Sequence, residues 1–121
     1  MTLSELGEGA ISGVGLEREI VNGVANSLRA LELAGAQPPF SVLVALVGVR
    51  GMGMANPHGM IPMRAPAPID RNLVRLPDVL CETYAWDRPR EMRPISDALW
   101  QSSGWNASPC YTATGDWNPP G

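Results

Sequence analysis

A nearly continuous apolar run over residues 40–49, FSVLVALVGV, constrains the fold more than any other feature of the sequence. At about 3.3 Å per residue it has the length of a long strand, whereas a membrane-spanning helix needs about 20 apolar residues. Polar residues do not alternate with the apolar ones, so the run predicts a central strand that is covered on both faces. The β-branched side chains that favour this strand over a buried helix are Val42, Val44, Val47 and Val49.

The segment before this strand has the apolar spacing of a helix. Apolar residues recur every three or four positions at Leu16, Ile20, Val24, Leu28 and Leu31, which predicts a helix over residues 16–34. Glu17 and Glu19 would lie in its first turn, where the helix dipole favours acids, and Gly35 would end it. Gly23 is expected to mark a close approach to the following strand.

A second strand and a second helix complete the predicted fold. Residues 72–83 are expected to form the strand, with Pro77 at an edge or a bulge because proline cannot donate a ladder hydrogen bond. Residues 88–103 are expected to form the helix, capped by Asp87 and ended by Gly104, and Pro94 would either bend it or mark its start. The sequence therefore predicts a small α/β domain, in which a sheet with a central buried strand is covered by two helices.

Outside these elements the sequence predicts a short edge strand near residues 9–12, a long irregular loop over 51–69 and an irregular aromatic tail over 104–121. We interpret residues 1–121 as one domain and as a piece of a longer protein. Methionine and tryptophan suit a partner surface because methionine adapts its shape and tryptophan is common at interface hot spots. The alternative is that loop and tail fold back over the sheet. The candidates for the surface are Met52, Met54, Met60, Met63, Trp105 and Trp117.

The composition excludes several chemistries. The chain has no lysine, so it has neither a Walker-type phosphate loop nor a Schiff-base lysine. A single histidine cannot build a multi-histidine metal site. Cys81 and Cys110 are too far apart in sequence for a Cys-x-x-Cys pair, and a disulfide between them stays open. We expect no cofactor, and the net charge of −3 disfavours autonomous nucleic-acid binding.

Two sets of charged residues offer alternatives to a non-catalytic chain. Glu17, Asp70 and Glu82 could gather around a divalent cation for phosphodiester cleavage, although the helix dipole and solvation also explain such acids. A basic set around the long loop could contact phosphates directly, or it could serve solubility and ion pairing. The residues of this set are Arg50, Arg64, Arg71 and Arg75.

Several short segments together resemble a known family. They are GVGLEREIV (13–21), LRAL (28–31), PPF (38–40), LVGVRG (46–51), PIDR (68–71), LPDV (76–79) and MRPISDALW (92–100). Over residues 10–117 the chain resembles the C-terminal region of bacterial proteins that carry an N-terminal Schlafen/AlbA-type DNA-binding domain. The resemblance implies a protein linked to nucleic-acid or ATP binding whose AlbA-like domain lies upstream. No binding residue of that domain corresponds to a position in this chain.

These observations favour a non-catalytic interaction module over an enzyme. We expect it to hold an upstream domain, another protein or a second copy of itself through the methionine-rich loop, the tryptophan-rich tail or an unpaired sheet edge. We expect it to meet nucleic acid only indirectly. The N-terminal sequence MTLSELGE is acidic and lacks the apolar core of a signal peptide. We therefore expect a cytoplasmic protein with no membrane contact. The two rival hypotheses are a carboxylate-dependent metal nuclease and direct nucleic-acid binding through the segment between Arg50 and Arg75.

Overall fold

The described part of the chain is a small mixed α/β fold, which confirms the predicted class. The computed structural model describes residues 10–55, 68–85 and 88–119. These ranges contain three helices and six short strands. They are β1 (Ala10–Ser12), α1 (Gly13–Leu33), β2 (Phe40–Val42), β3 (Ala45–Val47), β4 (Gly53–Ala55), β5 (Leu73–Arg75), β6 (Val79–Cys81), α2 (Arg88–Glu91) and α3 (Arg93–Gln101).

Helix α1 begins one turn earlier than its apolar spacing predicts. Ser12 caps it, because its side-chain oxygen accepts a hydrogen bond from the backbone N–H of Gly15 at 3.3 Å. With this start the first turn contains no acid, so the expected dipole role of Glu17 and Glu19 is wrong. The predicted end is confirmed, since Gly35 follows the cap at φ +80° and its N–H donates to the carbonyl oxygen of Glu32.

Four of the strands after α1, namely β2, β3, β5 and β6, form one antiparallel pair of chain segments, which we call the ribbon. β2 pairs with β6 so that Val42 faces Val79, and β3 pairs with β5 so that Ala45 faces Arg75. Between these two pairs, residues 43–44 of one segment face residues 76–78 of the other. The extra residue is a bulge, with Pro77 at its centre, as the sequence predicts.

The expected edge strand is present as β1, which pairs in parallel with β4. β4 (Gly53–Ala55) lies within the segment 51–69, which was predicted to be an irregular loop, so this strand was not predicted. Two backbone hydrogen bonds join the ends of that loop, from Gly51 to Ile69 and from Ile69 to Met52, at 2.8 and 2.7 Å. Residues 56–67 of the loop lie outside the described ranges.

The last helical region is divided at Met92 into α2 and α3. α3 begins at Arg93, so Pro94 occupies an early position where its missing N–H is not needed. This is one of the two arrangements that the sequence allowed. The predicted cap Asp87 lies outside the described residues. None of the helices in the described ranges has the length and apolar character needed to cross a membrane.

The hydrophobic core lies between α1, α3 and the inner face of the ribbon. Trp100 of α3 and Met54 of β4 are fully buried there, together with Ile69 and Leu99. Helix α1 approaches Trp100 at Gly13, where an added Cβ would lie 2.3 Å from the ring carbon Cη2. Gly23, in contrast, has no atom within 4 Å of that position, so the expected close approach at Gly23 is wrong.

Candidate functional site

The ribbon is covered on one side only, which differs from the expected cover on both faces. Val42, Leu46 and Val49 point into the core, whereas Leu43 and Val47 between them are 75% and 79% exposed. The burial thus alternates along a run whose residues are nearly all apolar. Because successive side chains of a strand point to opposite faces, half of this apolar run faces outward.

The partner segment of the ribbon adds to the same outward surface. Leu73 lies opposite Val47 and Leu80 lies opposite Ser41, and these two leucines are 46% and 52% exposed. Arg75, which is exposed, lies opposite Ala45 between them. We call this surface the outer ribbon face and define it by Leu43, Val47, Leu73, Leu80 and Arg75.

Apolar side chains in this arrangement are unusual on a surface that stays in water. Antiparallel strands with one solvated face normally alternate apolar with polar residues, and contiguous exposed apolar patches mark interaction sites. The single cation fits the same interpretation, because arginine is enriched at protein interfaces while lysine and acids are depleted. The outer ribbon face therefore has the composition of a protein-binding surface.

A second unusual feature lies inside the molecule, where Glu17 of α1 has no exposed surface. Its Oε1 accepts hydrogen bonds from Trp100 Nε1 at 2.9 Å and from Ser108 Oγ at 2.5 Å. Its Oε2 accepts one from Trp117 Nε1 at 2.6 Å. Ser108 Oγ in turn accepts from the backbone N–H of Cys110 at 3.1 Å. We call these five residues the Glu17 cluster.

The Glu17 cluster is built to hold elements together. An ionised carboxylate only accepts hydrogen bonds, and both oxygens of Glu17 receive donors from α3 and the tail. Burial raises the pKa of Cys110 to about 12, and the nearby charge of Glu17 acts in the same direction. The thiol therefore stays protonated at neutral pH, a state in which it is a poor nucleophile. The cluster joins α1, α3 and the tail without offering a reactive group.

The acids proposed as metal ligands do not form a site. Glu17 is enclosed by its three donors, whereas Asp70 and Glu82 are exposed. Within residues 10–55, 68–85 and 88–119, no group of three His, Cys, Asp or Glu side chains could hold a metal ion. The arrangement therefore gives no support to the metal-nuclease hypothesis.

Of the arginines proposed as phosphate contacts, Arg71 and Arg75 line one small pocket together with Asp70. Arg50, Arg71 and Arg75 are exposed, and Arg64 lies outside the described residues. Arg71 Nε is 3.1 Å from Asp70 Oδ1 in an exposed ion pair, which neutralises part of the predicted basic surface. Arg75 belongs to the outer ribbon face, among aliphatic side chains.

The residues proposed as a methionine and tryptophan surface largely face the core. Met54 is fully buried and Met52 is half-buried, while Met60 and Met63 lie outside the described ranges. Trp105 donates from Nε1 to the carbonyl oxygen of Met54 at 2.8 Å and packs edge-on against Trp100. Trp117 donates to Glu17. In the described tail, both tryptophans fold back onto the core, which is the alternative that the sequence left open.

The outer ribbon face was not predicted from the sequence. The residues that form it belong to the run 40–49, which was predicted to be buried on both faces, and to the strand opposite, which was predicted to be covered by helices. A signal was present in the small number of covering elements, because two predicted helices must cover two faces of a sheet and also bury each other. Once α1 and α3 pack on one side, the other side has no cover from the described chain.

Comparisons of the chain with protein-family models, with curated proteins and with solved structures found no match.

Proposed function

We propose that this chain is a non-catalytic interaction module whose outer ribbon face holds another protein surface, either a partner domain or a second copy of the chain. The observation that carries the proposal is the exposure of four aliphatic side chains on one face of the ribbon. The Glu17 cluster supports it indirectly, because the most unusual polar group of the described chain serves packing and presents no reactive group to solvent.

The exposed area sets a requirement on the partner. Full burial of a Leu or Val side chain contributes about 1.5–3 kcal/mol, so covering the remaining exposed area of the four residues would contribute about 4–8 kcal/mol. Association costs about 4–15 kcal/mol in lost freedom. The outer ribbon face alone offsets only the lower part of this range. A stable complex therefore needs a partner that brings apolar surface of its own, as a second copy would.

The family resemblance suggests where such a partner could come from. If the chain is the C-terminal region of a bacterial Schlafen/AlbA-like protein, the upstream domain of the same polypeptide is the first candidate. Nucleic acid or ATP would then bind to that domain and not to this one. A cytoplasmic setting agrees with the two buried cysteines, which are both free thiols. We assign no cofactor to the module.

The test uses light scattering over a dilution series together with binding of the apolar dye anilinonaphthalene sulfonate. The outer-face variant carries Val47→Lys and Leu80→Lys. The control carries Leu33→Lys, which changes a leucine of α1 that is 80% exposed and does not belong to the outer ribbon face. A dimer that only the outer-face variant dissociates supports a second copy. A monomer whose dye binding only the outer-face variant abolishes supports a vacant partner surface.

A mass and a dye signal that do not change in the outer-face variant would contradict the proposal. DNA affinity that falls steeply with salt, and that is lost on Arg50→Ala with Arg75→Ala, would instead favour the nucleic-acid hypothesis.

A further inference from the structure

A groove lies between α1 and the edge of the ribbon that is formed by β2 and β3. Its volume is about 490 Å³, which is within the range of about 300–1,000 Å³ typical of ligand sites. On the helix side it is lined by residues three or four positions apart, from Glu19 to Leu31. On the strand side it is lined by all residues from 40 to 45. Because consecutive strand residues line it, the groove follows the edge of the strand and not one of its faces.

Two small residues keep the groove open. Gly23 and Ser27 lie on the lining of α1, and nothing is found within 4 Å of the position that a Cβ of Gly23 would take. The larger lining residues of the helix, Ile20, Val24 and Leu28, give the groove an apolar wall. The helix and the strand edge are therefore separated by a space that their own side chains do not fill.

The strand edge along this groove has backbone groups that no described strand uses. In the described ranges β2 pairs only with β6, and β3 only with β5. The N–H of Gly48 donates to the carbonyl oxygen of Asn72, which makes this pair and the Leu46–Val74 pair the hydrogen-bonded ones. In an antiparallel ladder the residues between such pairs point their N–H and C=O away from the partner strand. Ala45, which lines the groove, is one of them.

We propose that this groove binds an extended peptide segment of a partner protein, which adds to the edge of β2 and β3 as a further strand and places alternate apolar side chains against α1. Strand addition is an established mode of peptide recognition, in which main-chain hydrogen bonds supply affinity and pockets for alternate side chains supply specificity. The groove has both components, a strand edge with which no described strand pairs and an apolar helix wall.

Charge indicates what the peptide should carry. Glu19 is the charged residue among those that line the groove, and it is exposed. The whole chain has a net charge of −3 and contains no lysine. A basic residue near the end of the peptide that meets Glu19 is therefore complementary, and a peptide with an acid at that position is disfavoured.

The test fills the groove without disturbing the fold. Gly23→Leu extends a side chain into the open space, and Gly23→Ala is its matched control, because both replace a helical glycine that has free room. Phage-displayed eight-residue peptides are selected on the wild-type chain, and the selected peptides are measured by fluorescence anisotropy. We expect Gly23→Leu to weaken their binding about tenfold or more and Gly23→Ala to leave it within about twofold.

Two further measurements make the result specific to strand addition. Two N-methylated versions of a selected peptide are compared, one methylated at its odd-numbered residues and one at its even-numbered residues. One version should lose binding and the other should keep it, because an added strand pairs through only one of its edges. Replacing a selected basic residue by glutamate should weaken binding, and Glu19→Gln should reduce this difference. Leu80→Lys, which lies on the outer ribbon face but on β6 and outside the groove lining, should have no effect, and this separates the groove from the proposed partner surface.

Three results would overturn the inference. One is that no peptide is enriched on the wild-type chain. Another is that the selected peptides bind Gly23→Leu as well as they bind Gly23→Ala. The third is that methylation at odd-numbered and at even-numbered residues weakens binding equally. If Leu80→Lys instead abolishes binding, the peptides occupy the outer ribbon face, and a partner surface exists without a groove site.

Discussion

The burial of Glu17 and of Val47 is the reverse of what their side chains would suggest. The acid has no exposed surface, whereas the valine is 79% exposed. The acid is satisfied inside the fold, because three donors reach its two oxygens. The valine, in contrast, is covered by none of the elements in the described ranges. The fold therefore satisfies its buried polar group with its own donors, while the described elements leave an apolar side chain uncovered.

The largest effect is expected at the Glu17 cluster. Glu17→Ala would leave two indole N–H groups and one hydroxyl without their acceptor in the core, and each unpaired buried group costs about 1–3 kcal/mol. We expect a loss of about 3–5 kcal/mol in the free energy of unfolding, measured by urea denaturation. Glu17→Gln keeps one acceptor oxygen and should lose less. Equal stability of Glu17→Ala and wild type would show that the cluster does not hold α1, α3 and the tail together.

Two glycines of α1 give an internal comparison of the next size. Gly13→Ala should destabilise the fold by about 1–3 kcal/mol, because the new methyl group would overlap the buried ring of Trp100. Gly23→Ala should raise stability by about 0.5–1 kcal/mol, since it removes a helical glycine where there is room. Thermal unfolding of both variants checks the pair. The two variants should change stability in opposite directions. Destabilisation by both would mean that α1 also packs closely at Gly23.

Alkaline pH should weaken the Glu17 cluster through Cys110. The folded state holds the pKa of this thiol at about 12 by burial, whereas an unfolded cysteine titrates near about 8.5. As pH rises through this interval, the unfolded chain releases the proton before the folded state does, so stability falls. Urea midpoints at pH 8 and pH 10.5 should therefore fall less in Cys110→Ala than in wild type. An identical pH dependence would place Cys110 outside the buried network.

The smallest effect on stability is expected on the outer ribbon face. Val47→Thr keeps a β-branched side chain on an exposed strand position, so the free energy of unfolding of the dilute monomer should change by less than about 0.5 kcal/mol. Leu46→Ala on the opposite face should cost about 2–5 kcal/mol, because Leu46 is buried. Denaturation at low concentration checks both. A large loss in Val47→Thr would mean that this face is already packed within one chain.

The sequence predicted the positions of the helices and strands better than it predicted which of their faces are buried. Local spacing placed α1, both segments of the ribbon and α3, because the periods of helix and strand can be observed within a few residues. The role of Glu17 could not be obtained in this way, since its donors Trp100 and Trp117 are 83 and 100 positions away. The exposure of the outer ribbon face could not be predicted for a related reason. An apolar run indicates that its side chains favour burial, but it does not indicate whether the same chain buries them.

The most direct test of the outer ribbon face is solvent exposure of the leucine and valine methyl groups in solution, measured by NMR with a soluble paramagnetic agent. At the lowest protein concentration we expect strong relaxation of the Val47 and Leu80 methyls and weak relaxation of those of Leu46 and Leu99. On addition of a partner, or on self-association, the Val47 and Leu80 methyls should become protected. If the Val47 and Leu80 methyls of a dilute monomer are as protected as those of Leu46, the outer ribbon face is not exposed in a single chain, and the proposed partner surface does not exist.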